Sequence, residues 1–314
     1  MRASIIIPHW NGRHHLNDCL NSLRAQTLQD FEILLVDNGS EDGSQHYVRD
    51  HFPEVTLIEL GSNRGFTGAV IAGYEASCGE FVVLLNNDTQ ADPEWLERLL
   101  NGFSQDSRIG STIGKILLFD ERDKLHTAGD FIRIDGSPGN CGVWQKDRGQ
   151  FDESRFVISG CGAAVAYRRE ALQAVGFIDD DFFFSCEDVD LGWRLNLAGW
   201  RVIYLPDAII YHKVKASSSA ISSFYDKRNR IYMISKNYPS SLLRKNWRVI
   251  FRHQRQEALA AMWAWRGAEA RASLRGQLAG LWGIVRMWPK RRQIQAMREI
   301  SDADLLALME PIDD

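Results

Sequence analysis

Over the first hundred residues, short apolar runs alternate with longer stretches whose apolar positions recur every three or four residues. Residues 4–8, 31–37, 55–60 and 81–85 are β-branched or leucine-rich and are bounded by turn residues, which predicts buried strands. Residues 14–26, 44–51, 65–78 and 93–103 read as helices; Leu16, Cys19, Leu20 and Leu23 mark the apolar face of the first. Four such alternations predict parallel strands joined by right-handed crossovers, with helices on both faces. Ligands gather at the carboxyl ends of such strands. Two acidic turns fall there, one at Asp37 and one at Asp88.

Beyond residue 110 the alternation breaks. Residues 113–119, 131–134, 156–158, 163–167, 202–205 and 209–212 read as strands of a mixed, loop-rich region. Residues 169–175 and 189–197 read as helices, the second with acidic residues at its start. From Phe224 the pattern is helical to the end. The 314 residues suit one medium α/β domain with an appendage.

Charge sharpens that division. The net charge is −4, but residues 240–300 hold 13 Lys/Arg against Glu257, Glu269 and Glu299, a balance of +10 that leaves −14 for the rest. A basic tail of this kind faces phosphates or an anionic membrane. It also carries Trp247, Phe251, Trp263, Trp265, Trp282 and Trp288, and residues 288–292 form a basic cluster. An amphipathic helix lying in a membrane interface fits this pattern. A helical pair packed on the main domain with a solvated basic face fits it equally. No nucleic-acid-binding module is recognisable, so nucleic acid is not an expected partner.

The cysteines Cys19, Cys78, Cys141, Cys161 and Cys186 are odd in number and show no C-x-x-C spacing, which argues against a disulfide framework or a zinc site. The first residues do not read as a signal peptide, and no window approaches the ~18 apolar residues of a spanning helix. The expected location is therefore cytoplasmic, with peripheral attachment to the cytosolic face of the inner membrane if the tail is interfacial.

Five constellations carry candidate chemistry. Asp37 with Asn38, Gly39 and Ser40 places a carboxylate where it could accept from a nucleobase imide or a ribose hydroxyl; the same residues also make an ordinary capped turn. Asn63, Arg64 and Gly65 open a Gly-rich helix whose N-terminus and cationic neighbour suit phosphate, or merely close packing. Asn86, Asn87 and Asp88 follow a strand, and Asp88 can supply one oxygen to a divalent cation. Glu187, Asp188 and Asp190 place three carboxylates in four residues after Phe182, Phe183 and Phe184. An aromatic lead-in excludes water and raises a carboxylate pKa, as a general base near neutral pH needs; a solvated helix start is the alternative. His212, just after a strand, is a candidate metal ligand by residue type alone.

In order and spacing, Pro8 with Asn11-Gly12, 36–40, 63–66, 86–88, Ser159-Gly160, Glu187-Asp188 and His212 resemble the family 2 inverting glycosyltransferases, over roughly residues 1–240. Leu-Asn-Asn-Asp-Thr, residues 185–194, Arg228-Asn229-Arg230 and Lys236-Asn237 are most similar to the bacterial rhamnosyltransferase-type members. The resemblance implies a GT-A fold: a Rossmann-like nucleotide-binding half (about 1–110) and an acceptor half (about 111–240) sharing a mixed sheet, followed here by the helical tail 241–314. It implies that Pro8, Asn11 and Asp37 line the donor-base pocket, that Asn63, Arg64 and Gly65 lie by the phosphates, and that Asn86 and Asn87 also belong to the nucleotide-sugar site. It further implies that Asp88 and His212 bind Mg²⁺ or Mn²⁺, that Gly160 with Cys161 and Gly162 shapes the sugar loop, and that Asp188, paired with Glu187, is the base. The implied donor is a dTDP- or UDP-linked sugar, first L-rhamnose. The implied acceptor is a saccharide or lipid-linked saccharide of cell-envelope polysaccharide synthesis. Asn86 departs from the family's Asp-x-Asp pattern, and the missing charge weakens metal binding without nucleotide. Two alternatives are a non-catalytic nucleotide-sugar-binding protein on the same fold and a nucleotidyltransferase. The latter should show a Gly-rich, basic loop after the first strand, where His9-Trp10-Asn11-Gly12 stands instead.

Overall fold

A computed structural model of the chain describes residues 1–214 and 219–312, so the last two residues of the tail, 313–314, lie outside it. The four early strands form as β1 (Ala3–His9), β2 (Phe31–Asp37), β3 (Thr56–Glu59) and β4 (Phe81–Leu85). Helices α1 (Arg13–Arg24), α2 (Ser44–His51) and α3 (Gly65–Ala76) connect them, and α4 (Trp95–Asn101) follows. The strands pair in parallel in the order β3-β2-β1-β4. Ile5, Ile6 and Ile7 on β1 and Val82 to Leu85 on β4 are wholly buried, as strands covered on both faces must be. Gly73 lets α3 lie directly on β1: a Cβ there would stand 2.4 Å from Ile6.

The second half joins the same sheet. Strands β5 (Thr89–Ala91), β6 (Ile109–Leu118), β7 (Leu125–Thr127), β8 (Asp130–Ile132), β9 (Pro138–Asn140), β10 (Arg155–Val157), β11 (Ala164–Arg168) and β12 (Arg201–His212) alternate with α5 (Arg169–Val175) and α6 (Glu187–Leu197). β11 runs antiparallel between β4 and β6, which makes the sheet continuous across residue 110. The result is the mixed α/β sheet expected of a GT-A fold. α7 (Ala220–Asn237), α8 (Ser240–Trp263), α9 (Ala268–Ala296) and α10 (Asp302–Leu308) complete the chain, and α9 lies along α7. Among the described residues no helix is long and apolar enough to cross a membrane.

Several elements differ from the sequence reading. Residues 202–205 and 209–212 are one strand, β12, interrupted only by a register shift against β6. Pro206-Asp207 reads as a break in sequence, but the flanking residues pair with the same neighbour. The 131–134 segment pairs with β9 in a separate ribbon and not with the main sheet. β6 begins four residues before its predicted start, because Gly110, Ser111 and Thr112 are buried despite being small or polar. β5, β7 and β9, three residues each, are too short for periodicity to reveal. The tail is three helices broken by turns, and its first packing partner, α7, begins at Ala220.

Candidate functional site

Three parallel strands end side by side. The register sets His9 opposite Asp37, and it aligns Ile6 with Leu84, so Asn87 emerges beside His9. Asn87 Nδ2 is 2.7 Å from His9 Nδ1, and His9 Nε2 is 2.7 Å from Ser44 Oγ. Burial pushes the His9 pKa down, against the pull of Asp42 and Asp37, so the ring joins this network as a neutral donor–acceptor. Asp37 is buried and accepts from Ser40 N–H and from Gln45 Nε2 at 2.9 Å, so its carboxylate also caps its own turn. Asn11 donates its N–H to Ser40 Oγ and accepts from Glu41 N–H, which ties the 9–12 loop to the 37–43 turn. Pro8 stands beside Val36 at the same rim.

Asn38 organises the loop that follows β3. Its Oδ1 accepts from Arg64 N–H at 2.8 Å, and its Nδ2 donates to Gly65 O at 2.9 Å and Asn63 Oδ1 at 3.1 Å. Gly65 has φ +75°, and a Cβ there would stand 2.5 Å from Phe183 O, so only glycine fits. Arg64 is exposed and has no carboxylate partner among the described residues, which leaves its charge available to an anion. Asn38 appears in sequence only as a turn neighbour of Asp37; its position at the end of β2 is what gives it this reach.

Asp88 and His212 meet because β5 and β12 pair with His212 opposite Thr89. His212 Nε2 is 3.0 Å from Asp88 Oδ1. Burial opposes ionisation of Asp88, but the hydrogen bond and charge of His212 outweigh it and hold its pKa below the usual carboxylate value. His126, unnoticed in sequence, places its Nδ1 3.2 Å from His212 Nδ1. Burial and then His212 push the His126 pKa down to about 4, so it is neutral at physiological pH.

The acidic segment is built differently. Phe183, Ser185 and Cys186 all take positive φ, between 61° and 74°, which costs roughly 1–3 kcal/mol at each non-glycine residue. Asn229 of α7, fully buried, holds this turn: its Nδ2 lies within 2.9 Å of the carbonyls of Phe182, Phe184 and Ser185. Arg228 holds Asp181 O and Phe182 O. α6 then begins at Glu187. Residues two apart point to opposite sides of a helix, so the acidic trio divides. Asp190 faces the interior and is bound by Arg194 Nε, Lys236 Nζ and Asn237 Nδ2 at 2.8–2.9 Å. Asp188 faces out, where Oδ2 accepts from Gly162 N–H and Oδ1 from Val189 N–H, both at 2.7 Å.

A cleft of about 470 Å³ brings Asn86, Gly162, Glu187, Asp188 and His212 together. Asp88 meets it through His212. Burial raises the Asp188 pKa, against the two N–H donors. Burial and then the Asp188 charge push Glu187 up to about 8, and Glu187 Oε2 has no hydrogen-bond partner among the described residues. Glu187 therefore keeps its proton at neutral pH, and of the pair Asp188 is the one whose anionic form two N–H donors favour. Asp130 is a third acid in the cleft that sequence reasoning missed: it accepts from Asn140 at 2.7 Å, Ser159 at 3.2 Å and Thr127 at 3.3 Å. A lone Asp after Gly129 carries no sequence signal. Gly160 packs against Ile113 and Val165 of the sheet, while Cys161 and Gly162 line the cleft. Asn87 turns toward His9.

Residues 4–176 match the family described as Glycosyl transferase family 2. The chain belongs to this family. The matched stretch ends before Glu187, Asp188 and His212. Over 230 residues this glycosyltransferase is 31% identical to the O-antigen biosynthesis protein of Myxococcus xanthus, covering 70% of the chain but 18% of that protein. It is 29% identical over 226 residues to the N-acetylglucosaminyl-diphospho-decaprenol L-rhamnosyltransferase of Mycobacterium tuberculosis, covering 65% of the chain and 73% of that protein. Among solved structures, a Pyrobaculum calidifontis mannosyltransferase in complex with GDP-Man and Mn²⁺ superposes with a TM-score of 0.56 at 17% identity, over 98% of this chain and 78% of that one.

Proposed function

We propose that this glycosyltransferase makes an inverted glycosidic bond by direct displacement, with Asp188 as general base. The observation that carries the reading is a carboxylate fixed by two N–H donors in the same cleft as His212, which is bonded to Asp88. Asp188 takes the proton of an acceptor hydroxyl, the oxygen attacks the anomeric carbon, and the bond to the nucleoside diphosphate breaks on the opposite face. Glu187, its pKa raised to about 8 by burial, keeps its own proton beside the base. Arg64 and the α3 N-terminus receive the phosphates, and Asp37 and Asn11 border the base pocket near Pro8.

Asp88 and His212 fit a hard or borderline divalent cation such as Mg²⁺ or Mn²⁺: one ionised oxygen and one imidazole nitrogen already converge. Among the described residues no third ligating side chain joins them, so Asp88 and His212 would be its protein ligands. When bound, the ion offsets charge on the departing diphosphate.

The donor we infer is dTDP-L-rhamnose, with UDP-sugars next, by likeness to the mycobacterial relative. The acceptor is a saccharide or lipid-linked saccharide of cell-envelope polysaccharide synthesis, used at the cytosolic face of the inner membrane. Residues 1–110 serve the donor, 111–240 the acceptor, and 241–314 form the attached tail. Membership of family 2 leaves the nucleotidyltransferase alternative without support, and a carboxylate held by two N–H donors in the cleft speaks against a merely binding role. Asp188→Asn should lower turnover with dTDP-rhamnose by roughly 10²–10⁴-fold while the nucleotide-induced thermal shift persists. Turnover near wild type in that variant sinks the assignment.

A further inference from the structure

A second cavity lies away from the catalytic cleft, on the outer side of the tail helices. It is a groove of about 870 Å³ between α8 and α9, floored by Ile231 and Ile234 of α7. Its walls include Trp247, Phe251 and Met262 on α8 and Leu278, Leu281 and Trp288 on α9.

α9 has two faces. Its inner face carries Gly276, Gly280 and Gly283 at helical spacing, and these let it lie against α7: a Cβ would stand 2.3 Å from Phe224 O at the first and 2.1 Å from Tyr232 Oη at the last. Packing on the domain is therefore complete on that side. The outer face, Leu278, Leu281, Trp282, Val285 and Trp288, faces solvent; Trp282 is 83% exposed, and Trp263 at the end of α8 is 89% exposed. A contiguous apolar face of this size on a water-exposed helix pair marks an interaction surface.

Charge says which partner. Arg248, Arg252, Arg255, Arg275 and Arg292 lie exposed on the same two helices and have no carboxylate partner among the described residues. Glu257, one of three acidic residues over 240–300, is already bound by Lys227 and Arg230. A protein partner of mixed charge would leave these arginines unanswered. Phosphate head groups over acyl chains match both features, because tryptophan and arginine favour the head-group layer and the apolar residues favour the chains beneath it.

We propose that the outer face of the α8–α9 hairpin docks on an anionic lipid bilayer, the two helices lying in the interface and the groove admitting acyl chains. α7 couples this face to the active site: Asp226 and Arg230 line the catalytic cleft, while Ile231 and Ile234 line the groove. Both openings thus border one helix, which would hold the cleft close to the membrane surface. The inference goes beyond the glycosyl-transfer reading and does not depend on it.

The test uses the full-length protein with vesicles of phosphatidylcholine alone or mixed with phosphatidylglycerol, read by flotation and by quenching of tryptophan fluorescence with brominated lipid. Wild type should float with the phosphatidylglycerol vesicles, be quenched by them, and be released by salt. Replacing Trp263, Trp282 and Val285 together by Ser should weaken partitioning about tenfold or more. Replacing Arg248, Arg252 and Arg275 by Gln should weaken it by a similar factor on the anionic vesicles. These side chains are exposed, so unchanged circular dichroism and melting would verify folding. Wild type that stays with the buffer, or binding indifferent to both triple variants, overturns the proposal. So does light scattering that shows a dimer which the aromatic variant dissociates, since a second copy would then cover the face. No arm reads turnover, so an inert Asp188 variant and a membrane-indifferent wild type are separate outcomes.

Discussion

The proposed donor rim and the proposed base wall are stabilised by contrasting means. At the rim, neutral side chains carry most of the loop-to-loop bonds, through Asn38, Asn11, Asn87, Ser40 and His9, and Arg64 has no carboxylate partner among the described residues. At the wall, Glu187, Asp188 and Asp130 are brought into one cleft, the preceding turn holds three positive-φ residues, and α7 clamps the arrangement from behind. The contrast teaches where each half keeps its reactivity. A donor brings its own negative charge, so the rim needs only open positive charge and ordered N–H groups. A base must be an anion poised to take a proton, so the wall has to keep carboxylates where burial makes ionisation costly. Rigid neighbours hold that unfavourable arrangement in place.

The strongest way to break the comparison is at the clamp. Asp190→Ala leaves Arg194 without its carboxylate and Lys236 with Asp179 alone, and should cost about 3–5 kcal/mol in urea unfolding. A variant as stable as wild type would show that the wall is not held by this buried cluster. Next comes pH. Glu187 has its folded pKa raised to about 8, so the folded protein keeps a proton that the unfolded chain releases near pH 4.5. Stability from this group is complete below the unfolded value and is lost as pH rises toward 8, at no more than ~1.4 kcal/mol per unit. Glu187→Gln should flatten that slope between pH 5 and 8; equal slopes in the two proteins would place the proton elsewhere. The mildest effect belongs to the rim. Asn38→Ala removes three hydrogen bonds around 63–65 and should raise the donor KM about tenfold, or ~1.4 kcal/mol, with kcat nearly unchanged. A loss confined to kcat would mean that the rim, too, acts on the chemical step.

Much of this was legible in the chain. The strand–helix alternation of the first hundred residues reflects burial on both faces of a parallel sheet, a strong periodic signal, and it placed Asp37 and Asp88 at strand ends correctly. The phenylalanine run before Glu187 correctly announced a water-poor environment. His126 was illegible because its partner lies 86 positions away, and Asp130 because an ordinary turn-side Asp gives no signal of the buried cleft it enters; Asn229 was noticed only within Arg228-Asn229-Arg230, and its role rests on carbonyls 44 to 47 positions away. The tail was legible as basic, aromatic and amphipathic, but the sequence left open whether it packs on the domain and by which side. Only α7, packed against Gly276, Gly280 and Gly283, identifies the inner side.

By itself, the sequence determined the sheet, the order of the motifs and the tail's charge, because periodicity and composition act over neighbouring residues. Tertiary structure alone decided that Asp190 is an anchor while Asp188, two residues earlier, faces the cleft. It also decided that His212 reaches Asp88, and that one side of α9 is left without a partner. Those outcomes depend on strand register and helix rotation, which are fixed by long-range packing and not by local preference.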